Sequence, residues 1–292
     1  MGSVSAAPRP RRRLPTPYLL LLPSVVLMAL LFGWPLVSGI GDAFTGPDGF
    51  TLANWSRMLS EPNFPAAVRN TLLLIAVVIP LQFLLALGMA LLLQSKLRLS
   101  GLYFYIWAVP LAVSDLAAGL VWLTVFTDRG YLNSLLSVLG LGDGFAWLSY
   151  QNESTMLLAV VMAEIWRSTS LVLIIVVAGL QVIPKEYDEA AQVFGATFWQ
   201  RLRHVTLPLV KPSLQVALIL RTILALQAFA VAQALTGRNF PLLVGETYEW
   251  FVTLQNPAVA SAVALVVLGI SLLTSVVYLR ALRQPEAARG TR

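Results

Sequence analysis

The chain has 292 residues, of which 58% are apolar and 12% charged, with a net charge of +6 and a mean hydropathy of +0.76. A soluble domain carries about 25% charged residues, so there is too little polar surface here to cover a globular fold in water. The chain has no cysteine, one histidine (His204) and three lysines (Lys96, Lys185 and Lys211), none preceded by glycine. That excludes disulfides, thiolate metal sites, cysteine nucleophiles, paired-histidine metal sites and a G-x-x-x-x-G-K-[ST] phosphate loop.

Six apolar stretches have the length that crosses about 30 Å of hydrocarbon as a helix. They predict an all-α membrane protein with six transmembrane helices near 18–40, 70–93, 103–126, 155–182, 213–235 and 259–279. No connecting segment is long enough for a domain of its own. The expected organisation is therefore a tail at 1–17, one membrane domain at 18–280 and a tail at 281–292. The first stretch follows a basic tail (Arg9, Arg11, Arg12, Arg13) but has no A-x-A site after it, so it reads as an uncleaved helix.

The basic residues set the orientation. The two tails, Arg280 just past the last span, and the segments 94–102 and 183–212 hold 14 of the 20 Lys and Arg residues. The opposite side holds Arg57, Arg69, Arg129 and Arg238, while Arg167 and Arg221 fall inside spans. The positive-inside rule puts both termini and segment 183–212 in the cytoplasm, and the positive charge is thereby assigned to the bilayer, not to nucleic acid.

Between spans four and five, Pro184 with Glu186, Asp188 and Glu189 marks a helix start. Tyr187, Ala190, Ala191 and Phe194 share one face, Gly195 interrupts, and Phe198, Leu202 and Val205 form a second apolar stripe. Pro208 and Pro212 are expected to end the segment before span five. Two short amphipathic helices thus meet at a glycine, with small residues Ala190, Ala191 and Ala196 around it. Such a shape suits either a knob in a partner's groove or a pair of helices lying on lipid headgroups.

Glu189, Ala190 and Ala191, then Gly195 and Ala196, then Leu207, Pro208 and Pro212 resemble the EAA loop of permease subunits of binding-protein-dependent ABC importers. Phe194 stands where that pattern usually has Asp. Trp34 and Pro35, Asn54 and Trp55, Asn70 and Thr71, Trp122, Phe126, Gly130 and Asn133, and Trp166, Gly179 and Leu180 are similar to the carbohydrate permeases of the maltose and glycerol-3-phosphate type. Leu235, Thr236 and Gly237 match the start of their outer loop, where Arg238, Asn239, Phe240 and Pro241 replace the usual Gly-Gly-Pro. The likeness is to the first, maltose-F-like permease of such systems. It implies a type I importer permease fold in the cell membrane and the import of a sugar or polyol. It also implies a second permease as heterodimer partner, two copies of a cytoplasmic ABC ATPase and an extracytoplasmic substrate-binding protein. It assigns ATPase coupling to Glu189, Ala190, Ala191, Phe194, Gly195, Ala196, Leu207 and Pro208, and leaves the chain without an ATPase site, cofactor or metal of its own.

Asp115, Glu164, Arg167 and Arg221 are expected near the middle of spans. Each would cost about 2.5–3.5 kcal/mol facing lipid, so they should face the bundle interior. Glu164 and Arg167, three apart on one helix, are expected to pair directly. The four form either a structural ion-pair network or a polar lining of the substrate route. Trp122, Trp166, Gln227 and Gln233 are further candidates for the route, since aromatic faces and amides suit sugars. An ion-gradient-driven secondary transporter, with Asp115 and Glu164 as ion sites, is the rival reading. A membrane enzyme finds no clustered acids or nucleophile to work with.

Overall fold

The computed structural model describes residues 16–95, 98–142 and 144–281. The basic residues of the tails before 16 and after 281, and Lys96, lie outside the described residues.

The first span comprises α1 (Thr16–Met28), a π-turn (Ala29–Gly33) and α2 (Trp34–Ala43). The widened turn falls just before Pro35, whose ring would otherwise meet the carbonyl of the preceding turn. A two-stranded hairpin, β1 (Thr45–Gly46) and β2 (Gly49–Phe50), and the amphipathic α3 (Ala53–Ser60) lead into α4 (Asn63–Gln94). With 32 residues, α4 is about 48 Å long and overshoots the hydrocarbon layer at either end.

The third span is not the straight helix expected at 103–126. It consists of α5 (Ser100–Ala108) with a 3-10 turn (Val109–Ala112), then α6 (Asp115–Phe126) and α7 (Tyr131–Val138), and the chain bends by 102° at the break. Pro110 lacks a donor, and the Ser114 hydroxyl accepts the Ala117 N–H at 3.2 Å, capping a new helix. Asp115 therefore stands at a helix start inside the broken span, not in mid-helix.

The fourth span is α8 (Glu153–Gln181), followed by α9 (Lys185–Val193). The fifth begins within segment 183–212 itself. Here α10 (Phe198–Arg201), a π-turn (Leu202–Thr206) and α11 (Leu207–Leu226) run on without a stop. Pro208 follows the π-turn inside this continuous helix, where the widened turn accommodates it, and Pro212 lies one turn further on in α11. Neither ends the segment, contrary to expectation. The helix then breaks at 227–229, short of the expected end at 235, and resumes as α12 (Ala230–Thr236). After α13 (Leu243–Tyr248) and a π-turn (Glu249–Thr253), α14 (Pro257–Ala281) forms the last span.

Three apolar clusters stack along the bundle. One joins α4, α6, α8 and α12 around Leu74, Phe126, Met156 and Leu235. A second, around Met58, Phe64, Leu243 and Trp250, ties α3 and the start of α4 to α13 and α14. The third packs Ala86, Leu173, Val176 and Val210 where α4, α8 and α11 approach segment 183–212. The broken halves of spans three and five pack on each other: a Cβ at Gly119 of α6 would come 2.6 Å from Ala234 Cβ and 3.1 Å from the Val231 carbonyl on α12. Only glycine permits that approach, the kind of small-residue contact by which membrane helices associate.

Candidate functional site

Between the first and third clusters lies a polar knot. Arg221 on α11 donates from Nη2 to Glu164 Oε2 on α8 at 2.8 Å and from Nε to Gln82 Oε1 on α4 at 2.7 Å. Gln82 Nε2 in turn donates to the Glu164 carbonyl at 2.9 Å, and the Ser168 hydroxyl approaches Glu164 Oε2 at 3.4 Å. All three principal residues are closed off: Gln82 is 0%, Arg221 1% and Glu164 2% exposed. Three helices are thus cross-linked by one satisfied network in a region of low dielectric.

The expected pairing of Glu164 with Arg167 does not form. Arg221 reaches Glu164 from α11, and Arg167 Nη1 turns instead to Asp115 Oδ1 at 2.7 Å. The break in the third span is what brings Asp115 into reach. This second pair is open on one side, with side chains 19% and 50% exposed. Trp122, one face of α6 further on, stacks on Phe126 and meets the edge of Trp166 with ring centroids 6.3 Å apart. Trp166, at 36% exposure, is not enclosed. Asp115, Arg167, Trp122 and Trp166 therefore gather at the junction of α6 and α8. Gln227 and Gln233 do not join them: both are exposed, the first at the end of α11 and the second on α12.

Segment 183–212 is an elbow. Gly195 has φ +76°, a left-handed turn that side chains other than glycine adopt with strain. Thr197 and Gln200 form a capping box at the start of α10. Across the joint Arg201 Nε lies 3.1 Å from Asp188 Oδ1, and Gln192 Nε2 donates to Asp188 Oδ2 at 2.6 Å. The elbow projects Val193 and Phe194, 85% and 90% exposed, with Glu189 and Ala190 exposed beside them and Ala191 and Ala196 half-buried. Leu207 is half-buried and Pro208 exposed where the elbow joins α11. His204 is exposed, its Nδ1 3.0 Å from the Gln200 carbonyl. Among the described residues no cluster of acidic or histidine side chains has a metal site's makeup.

Beyond the spans on the opposite side, Arg238 Nη1 pairs with Glu249 Oε1 at 2.8 Å and the Arg57 guanidinium lies 5.6 Å from the Trp250 ring centroid. Gln82, Glu246 and Glu249 escaped the sequence reading. A lone amide inside a 24-residue apolar stretch is a signal for Gln82, since an unpaired amide in hydrocarbon needs a partner. The two glutamates lie in a segment with no spacing to single them out.

Residues 82–283 match the binding-protein-dependent transport system inner membrane component family. The sulfoquinovosyl glycerol transport system permease protein SmoG of Agrobacterium fabrum is 33% identical, over 92% of this chain and 90% of its own. The sn-glycerol-3-phosphate transport system permease protein UgpA of Brucella abortus is 34% identical, over 76% of this chain and 77% of its own. In structure, a bacterial alginate ABC transporter crystallised with an alginate pentasaccharide-bound periplasmic protein aligns with a TM-score of 0.79, covering 92% of this chain and 94% of that one at 21% identity. The fold is that of an ABC transporter permease. The chain belongs to the family of inner membrane components of binding-protein-dependent transport systems: a multi-pass membrane permease, not an enzyme.

Proposed function

We propose that the chain is one half of the translocation path of an ATP-driven importer for a sugar or related polyol, with both termini and the elbow in the cytoplasm. It pairs with a second permease, receives substrate from an extracytoplasmic binding protein and is driven by two copies of a cytoplasmic ATPase. The relatives named for sulfoquinovosyl glycerol and glycerol-3-phosphate support the substrate class. The observation that carries the coupling is the glycine-jointed elbow. Its second arm is continuous with α11, so a push on Phe194 and Glu189 is transmitted through 29 residues of helix, Phe198–Leu226, to the break at 227–229. ATP binding closes the partner ATPase dimer and hydrolysis lets it reopen, and the permease responds by switching between two helix packings. The sugar meets the open cluster of Trp122, Trp166, Asp115 and Arg167, where ring faces and a polar edge match its two surfaces.

A secondary transporter would need an exchangeable buried acid. Glu164 is already neutralised and enclosed by Arg221 and Gln82, which disfavours that reading. The decisive experiment is uptake in proteoliposomes: transport is expected only with the ATPase, ATP and the binding protein, and transport by the chain alone along an ion gradient would refute the importer reading.

Trp166→Ala is expected to raise the KM for uptake about tenfold, the effect of ~1.4 kcal/mol of lost stacking, with protein level unchanged. An unchanged KM would remove Trp166 from the path. Asp188→Asn opens the clasp across the elbow. A half-exposed pair is worth about 0.2–1 kcal/mol, so thermal stability should scarcely move, whereas sugar delivered per ATP hydrolysed should fall. Equal coupling ratios in wild type and variant would show that Asp188 does not hold the elbow.

A further inference from the structure

The face opposite the elbow is acidic. Among the described residues outside the membrane there, seven carboxylates from Asp42 to Glu249 outnumber four arginines. Three of those arginines are engaged: Arg69 with Glu153, Arg238 with Glu249, and Arg57 over Trp250. Glu246 is left over. It is 4% exposed, and among the described residues its carboxylate has no hydrogen-bond partner. It lines a cavity of about 20 Å³ together with Gln233, Arg238, Tyr248 and Glu249, backed by Phe229 and Phe240. Arg238 and Tyr248 at its mouth are 54% and 47% exposed, so the cavity opens to the outside.

A buried carboxylate without a hydrogen-bond donor is costly, the nearby Arg238 is shared with Glu249, and the space beside Glu246 admits a small group. About one water-sized probe volume is roughly 10–15 Å³, so the cavity takes a group of that bulk. An ammonium group is nearly the size of water, carries three donors and supplies the missing charge. Arg238 leaves the place open because its own charge is spent on Glu249.

We propose that this cavity is a socket for a lysine ammonium of the extracytoplasmic binding protein, seated against Glu246 when that protein docks on the acidic face. This rests on the orientation and binding-protein dependence proposed above. The surplus of negative charge would steer a basic docking surface toward the face, and the socket would fix its register.

The pH dependence follows. Burial lifts the Glu246 carboxyl above the usual carboxylate range; Arg238 opposes the rise, and Glu61 and Glu249 add to it. The ammonium needs the ionised form. Docking is therefore full above the raised value and weakens as pH falls through it, by up to about tenfold per pH unit for one linked proton.

The test uses the assembled transporter in nanodiscs, titrated with its binding protein, the readout being the binding-protein concentration that half-maximally stimulates ATP hydrolysis. Glu246→Gln is expected to raise that concentration at least about tenfold and to flatten its rise at acidic pH. Acetylating the binding protein's lysines should produce the same loss on the wild-type transporter and no further loss on Glu246→Gln. The acetylation arm needs no variant, so it decides the matter even if Glu246→Gln folds poorly. Wild-type-like docking by Glu246→Gln, unimpaired docking by the acetylated protein, or additive losses would each overturn the socket. A wild-type transporter that no binding protein stimulates would instead overturn the functional reading, and the socket with it.

Discussion

Arg221→Leu is expected to destabilise the bundle by about 3–5 kcal/mol, the penalty for leaving one member of a buried ion pair without its partner. The wild-type residue bridges Glu164 on α8 and Gln82 on α4 from its place on α11. Leucine in its place strands a carboxylate that is 2% exposed and an amide oxygen beside it. Water cannot repair this, because apolar clusters close the network on both sides. Glu164→Leu should be as damaging, since it strands the guanidinium. The double variant Glu164→Leu with Arg221→Leu should recover most of the loss, because two apolar side chains replace the pair and only Gln82 stays short of a partner, at about 1–3 kcal/mol. Detergent-resistant folding, followed by size-exclusion recovery after heating, measures all three. Single variants as stable as wild type, or a double variant worse than either, would show that the network does not hold the three helices together.

Gly195→Asp should reduce ATP-coupled uptake by at least about a hundredfold while membrane insertion stays intact. No atom lies within 4 Å of a Cβ added at Gly195, so crowding is not the obstacle. The obstacle is the left-handed backbone at φ +76°, which costs an L-residue about 1–2 kcal/mol, and the charge set on a tip that otherwise offers Val193 and Phe194. Gly195→Ala brings the strain without the charge, and its uptake should fall between the two. Glu189→Lys should fail in the same way as Gly195→Asp, by reversing the charge beside the tip. Normal uptake and normal co-purification of the ATPase in both charged variants would remove this segment from the coupling role.

What was legible locally was read well from the chain. The glycine of the elbow interrupts an apolar stripe, and the backbone there is left-handed for the reason the interruption implied. Glu164 and Arg221 are buried, as the cost of lipid exposure requires, whereas Asp115 and Arg167 form a pair open on one side. Their partners were a different matter. Glu164 and Arg167 are neighbours on one helix, yet each pairs with a residue far along the chain, because Arg221 and Asp115 are delivered by other helices. The prolines misled in two ways. Pro110 helps break a span that its hydropathy presents as continuous, and Pro208 and Pro212 sit inside a helix they were expected to precede, with a π-turn just ahead of Pro208 to absorb it. Glu246 left no trace in the sequence, because nothing local distinguishes a carboxylate that will be buried from one that stays wet.

Composition and hydropathy by themselves determined that this chain lives in a bilayer, how many times it approaches crossing it, and that it has no thiol, no histidine pair and no G-x-x-x-x-G-K-[ST] phosphate loop. The short pattern from Glu189 to Pro212 identified the kind of permease. These features depend on residue type and near-neighbour spacing, which the chain displays directly. Only the tertiary structure decided where spans break, which charges pair, that Gln82 completes their network and that Glu246 lines a cavity. Those depend on which helices pack side by side, and helix packing in lipid follows from close contacts such as Gly119 on α12, made between residues far apart in the chain.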